Sequence, residues 1–207
     1  MSREKLLEVA ERLFAEKGYT GTTIREITRE AKCNIASVNY HFGSKKNLYL
    51  TVFKERFLPR ARLIRETFYK LLKKEKEKTP ETVIRAFAKA FFLGPIPREE
   101  RIISHRLVAR EMNQPSEAFN LILKELFEPF FHEIINILSK FFPEKEKLRL
   151  AVLSIHAQVL YFNFNRLAVE HFCKRKFDEK FLNEVIEHIV KFSLEGIKGI
   201  QKNGMEN

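Results

Sequence analysis

Apolar residues recur at helical spacing along most of the chain, and the recurrence is sharpest between Thr22 and Leu48. Ile24, Ile27 and Ala31 stand at i, i+3 and i+7, one face of a short helix, and Thr23 with Glu26 three residues on has the form of a capping box. Ile35, Val38 and Phe42 repeat the spacing, with Asn34 supplying an N-cap oxygen before them. The connection Lys32-Cys33-Asn34 is too tight for antiparallel helices. The pair therefore crosses steeply, as in a helix-turn-helix whose second helix enters a DNA major groove. Upstream, residues 2–17 read as a helix with Leu6, Val9, Ala10, Leu13 and Phe14 on one face and Gly18 as its stop.

Beyond the pair, residues 45–76 read as a long helix with Leu48, Val52 and Phe53 facing inward and an interruption or kink at Pro59. The charged run from Lys70 to Pro80 is a frayed end or loop. Helical stretches follow at about 80–93, 97–113, 116–141, 144–172 and 178–201, punctuated by Gly94-Pro95, Pro115, Pro143 and Lys174-Arg175-Lys176, with Pro129 predicting a bend or two shorter helices. No strand-like alternation recurs, so the expected fold is all-α: a three-helix DNA-binding domain at residues 1–48 and a larger helical domain at 49–207. In the last helix the apolar residues from Phe181 to Ile200 span an arc wider than one core covers. A second copy of the chain would cover the rest, two helices from each subunit (144–172 and 178–201) making a four-helix bundle, with Ile186 and Ile197 as candidates to face the partner. A central buried helix in a monomer is the alternative.

The second helix of the pair would present Ala36, Ser37, Asn39, Tyr40 and His41 to solvent. Small Ala36 and Ser37 permit close approach to a groove floor, Ser37 and Asn39 can hydrogen-bond base edges, and Tyr40 can reach a phosphate. Lys45 and Lys46 follow the N-cap Ser44, where the helix dipole disfavours cations unless an anion is near. With Thr22 and Thr23 they are the candidate phosphate contacts. The plain alternative is a solvated polar face on an ordinary helix pair.

The run from Phe14, Gly18 and Tyr19 through Thr22-Thr23-Ile24 and Ile27, then Asn34 to Lys45 and Leu48, resembles the N-terminal domain of TetR-type transcriptional regulators. Lys32 departs from it, since the family often has Gly there, and a non-glycine residue in a left-handed turn costs on the order of 1 kcal/mol. The segment from Ser104 to Phe119 is similar to the C-terminal domain of a TetR subgroup related to regulators of antibiotic sensitivity. The resemblance implies a homodimeric repressor on a double-stranded, palindromic operator, released by a small-molecule effector. Apolar pockets with a few convergent polar groups take apolar or aromatic ligands, and Phe92, Arg106, Arg110, Phe131, Phe162 and Arg166 are the candidate lining. Arg110 and Glu111 are equally readable as structural ion pairs, and the polar residues His156 and Gln158 as buried groups bonded within the fold.

Charge adds to this picture. The 207 residues carry a formal net charge of +11, and residues 1–80 hold 19 Lys and Arg against 10 Asp and Glu, so the excess lies beside the proposed reader. Cys33 and Cys173 have no CxxC partner and read as small apolar residues in a reducing cytosol. The charged N-terminus is unlike a signal peptide and no uncharged apolar run would span a bilayer, so a cytoplasmic protein without a membrane partner is expected. All acids but Asp178 are Glu, a bias resembling heat-adapted proteins. No GxSxG, GxxxxGK[ST] or HExxH motif occurs, so no catalytic residue and no cofactor is expected. The histidines have no spacing typical of zinc, so no metal ligand is named; a metal-responsive regulator and a ligand-independent DNA-binding protein are the alternatives.

Overall fold

The computed structural model describes residues 3–142 and 144–202; Ser2, at the expected start of the first helix, and the breakpoint Pro143 lie outside the described residues. All regular structure among them is helical: α1 (Arg3–Gly21), α2 (Ile24–Glu30), α3 (Ile35–Phe42), α4 (Lys45–Val52), α5 (Leu58–Lys74), α6 (Pro80–Leu93), α7 (Arg98–Asn113), α8 (Glu117–Ile122), α9 (Glu128–Leu138), α10 (Lys145–Phe164), α11 (Arg166–Cys173) and α12 (Glu179–Lys202). Starts are set by side-chain caps. Thr23, Asn34, Ser44, Thr79 and Ser116 each accept a hydrogen bond from a backbone amide in the first turn of the helix they precede. Gly18 breaks α1 internally with φ 77°, a left-handed conformation that favours glycine.

The two prolines inside helices act in the same way. Phe53–Phe57 and Leu123–Phe127 are π turns, closed by Leu58 N–H to Phe53 O and by Glu128 N–H to Leu123 O. Pro59 and Pro129 come next. Each ring would clash with the carbonyl four residues back and offers it no N–H, and the wider turn relieves the clash without ending the helix. Where an interruption or kink was expected at Pro59, and a bend or two shorter helices at Pro129, the chain forms π turns. Asn165, at φ −101° and ψ 36°, ends α10 and divides the single helix expected over 144–172.

The chain packs as two compact units, Met1–Arg62 with Ile96–Glu128, and Leu63–Pro95 with Pro129–Asn207. Packing therefore departs from the division expected at 48/49, because α7 and α8 join the reader. In the first unit Leu6, Leu13 and Phe14 of α1 share one core with Ile27, Val38, Leu48, Val52, Leu107, Ala118 and Ile122. Ile35, expected inside, is 44% exposed. Inside this unit Glu11 is buried between Arg56 and Arg60, and Arg60 also donates to Glu100 at 2.5 Å.

In the second unit α12 packs on α6 and α10 around Phe68, Ile84, Phe87, Phe130, Val152, Ile155, Val185 and Ile189. That core takes up most of the wide apolar arc of α12. Ile186 and Ile197 are 1% and 5% exposed, so both belong to the subunit's own core and neither faces a partner. The arc looked too wide because α12 lies between two neighbours. Among the described residues no helix is long and apolar enough to cross a membrane.

Candidate nucleic-acid interface

The reading surface begins with two caps. Thr23 is exposed and its hydroxyl oxygen accepts from Glu26 N–H at 3.1 Å; the Thr23 backbone amide and, foremost, Lys17 hold the Glu26 carboxyl below its ordinary range. Asn34 opens α3, its Oδ1 accepting from Ser37 N–H at 2.9 Å and from the Ser37 hydroxyl at 3.0 Å. With its proton committed to Asn34, Ser37 is left with oxygen lone pairs, which suit the amino group of adenine or cytosine.

Val38 and Phe42 anchor α3 in the core, which turns Ala36, Asn39 and Tyr40 to solvent, Tyr40 at 85% exposure. His41 is half-buried, its ring 5.0 Å from Tyr40 and 6.1 Å from Phe42. Gly43 closes α3 at φ 74°, and Ser44 opens α4 by accepting from Asn47 N–H at 3.1 Å. Lys45 lies over the Tyr19 ring at 4.4 Å, and burial lowers its pKa. Lys46 is exposed and donates to Glu117 of α8 at 2.5 Å.

One expected phosphate contact is corrected. Thr22 is buried, and its hydroxyl is engaged with the carbonyls of Leu13 at 3.1 Å and Gly18 at 2.8 Å. The hydroxyl is thereby committed to the broken end of α1. Arg25 and Arg29 of α2, with Lys32 in the turn after it, are also exposed and add positive charge beside α3.

The expected ligand lining is divided between the two packing units. Arg106 is exposed in the first unit, and Arg110 of the same unit donates to the carbonyls of Ala15, at 3.0 Å, and Glu16, so it caps α1. Phe92, Phe131, Phe162 and Arg166 belong to the second unit. Phe92 is core, while Arg166 donates to Asn163 Oδ1 at 3.0 Å and lies 5.1 Å over the Phe177 ring. The clefts found there are small: about 20 Å³ between Phe142, Leu148 and Ile197, and about 10 Å³ between Phe87, Ile134 and Ile155, each room for about one water. His156 lies against the Phe87 and Phe91 rings, at 5.7 and 5.9 Å, and burial pushes its pKa down to about 4. Among the described residues no group of His, Cys, Asp or Glu is placed to hold a metal.

Comparison with known proteins decides the family. The pattern of the bacterial regulatory proteins of the tetR family matches residues 6–52, and that of the C-terminal domain of the HTH-type transcriptional dual regulator CecR matches residues 80–197. The chain belongs to the TetR family, with a CecR-type C-terminal domain. The family is one of DNA-binding transcriptional regulators, not of enzymes. The dual regulator CecR of Shigella flexneri is 26% identical over 67% of this chain and 63% of its own. The negative transcriptional regulator IcaR of the Staphylococcus aureus biofilm operon icaADBC is 45% identical over 23% of this chain and 25% of its own. The chain thus spans less than two thirds of the length of either relative. A TerR/AcrR-family regulator from Aquifex aeolicus matches as a crystal structure over 95% of this chain and 98% of its own, with 25% identity and a TM-score of 0.55. This TetR-family chain places its CecR-type segment in both packing units, since residues 96–128 lie with the reader.

Proposed function

We propose that this TetR-family protein is a homodimeric repressor of an inverted-repeat operator, with Ser37 and Asn39 reading bases and Thr23, Tyr40, Lys45 and Lys46 holding phosphates. The observation that carries the dimer is an uncharged exposed stripe on α10: Leu150, Leu153 and Tyr161 are 67%, 51% and 52% exposed, with Ala157 between them. On α12, which packs against α10, Phe192 is 62% exposed and an added Cβ at Gly196 or Gly199 meets nothing. Exposed apolar surface of this kind suits an interface, and the glycines leave room for a second copy to approach closely.

Release by a small apolar or aromatic ligand is supported by the Phe68, Phe87, Phe91 and Phe130 cluster, in which Phe87 and Phe91 lie against His156. Such a ligand enters only by parting those side chains, since the cleft there holds about 10 Å³. That closed core favours a second reading, a repressor with no effector in this region. Selecting genomic fragments with purified protein tests the function: an enriched inverted repeat supports it, and binding without sequence preference overturns it. Titrating apolar and aromatic compounds against the selected complex separates the readings. Dissociation together with a shift of the His156 ring resonances supports the ligand-released form.

A further inference from the structure

Residues 96–128 pack with the reader, while the chain before and after them belongs to the other unit. At the corner between α7 and α8 this segment grips the reader through three side chains. Arg110 donates to the carbonyls of Ala15 and Glu16, which end the regular part of α1. Glu111, 2% exposed, accepts from the Tyr49 hydroxyl of α4 at 2.5 Å and from Ser116 N–H at 2.9 Å. Glu117 accepts from Lys46, also of α4, at 2.5 Å, with side chains 61% and 57% exposed.

The two α4 contacts differ in kind. Tyr49–Glu111 is buried, and desolvation, then the carboxylate, push the phenol pKa up, so it keeps its proton and the bond stays made. Lys46–Glu117 lies in water, where an ion pair is weak, salt-screened and open to exchange. Since Lys46 and Tyr49 are three residues apart on α4, the fixed contact holds the exchangeable acid beside the lysine.

We propose that Glu117 belongs to the DNA interface: it occupies Lys46 in the DNA-free protein and yields it to a backbone phosphate on binding. The α7–α8 corner thereby sets how readily α4 engages DNA. This rests on reading the first turn of α4 as a phosphate contact.

A double-mutant cycle tests it, with binding of a selected genomic duplex followed by fluorescence anisotropy across a salt series and folding of each variant checked by circular dichroism. Glu117→Gln is expected to tighten binding about threefold per reader, the range of an exposed ion pair. Lys46→Met weakens binding and lowers the salt slope by about 1 per reader. In the Lys46→Met background Glu117→Gln then has no effect. An equal gain in both backgrounds overturns the proposal, because the acid would then act through general charge alone. No gain in the parent also overturns it. If Lys46→Met leaves affinity and slope unchanged, it is the phosphate assignment that fails.

Discussion

Lys32 has a left-handed backbone, φ 56°, in the turn between α2 and α3, and its side chain is exposed. A non-glycine residue gives up on the order of 1 kcal/mol there, so Lys32→Gly should raise unfolding free energy by about 1 kcal/mol in a urea titration. An unchanged midpoint would contradict that. The Asn39 side chain is exposed on α3, so Asn39→Ala should leave stability intact while costing about 1–3 kcal/mol at the operator and relaxing specificity. Equal affinity and equal discrimination would remove it from the reading set.

His156 gives a pH dependence of definite sign. Its ordinary pKa is 6.5 and the folded value is about 4, so between those values the unfolded chain binds a proton that the folded one refuses. Stability should fall as pH drops from about 6.5 towards 4, by as much as ~3 kcal/mol, and His156→Phe should flatten the profile. A parent and variant with parallel pH profiles would contradict this. Residue roles were the least legible part of the sequence. Two threonines precede α2, and which one turns inward depends on the carbonyls of Leu13 and Gly18, brought together only by the break in α1. Arg110 likewise caps carbonyls from a helix more than ninety residues earlier, a partnership with no local signal.

At the scale of elements the sequence spoke more clearly, because caps and breakers act over a few residues. Thr23, Asn34 and Ser44 start their helices where the pattern placed them, and Pro80 opens α6. What sequence could not distinguish was a proline that stops a helix from one that widens it. Pro59 and Pro129 each follow a π turn, and each lies within a few residues of a place where the chain passes between the two packing units. π turns carry weaker ladders than regular helix and recur at functional sites. Hydrogen exchange should therefore be faster across residues 53–58 and 123–128 than in the helices flanking them, and equal protection throughout would contradict weaker ladders there. The burial of α12 was illegible for a different reason: an apolar arc shows how much must be covered, and the sequence does not say whether α6, α10 or a second chain covers it.

For the molecule as a whole, the proposed dimer rests on α10 and on Phe192, not on Ile186 and Ile197. Ile186 and Ile197 are core, so a glutamate at either should unfold the subunit, whereas Leu153→Glu or Phe192→Glu should give folded monomers with weak DNA binding. Far-ultraviolet circular dichroism with light scattering separates the two outcomes, and a Leu153→Glu protein that stays dimeric would move the interface elsewhere. The central claim is a two-fold reader. Its most direct measurement is the stoichiometry and site symmetry of the complex with selected genomic DNA, by light scattering of the complex and footprinting. The account predicts two chains on one inverted repeat, half-sites spaced by whole helical turns, and loss of the complex in Phe192→Glu. One chain bound to a site without symmetry would contradict it.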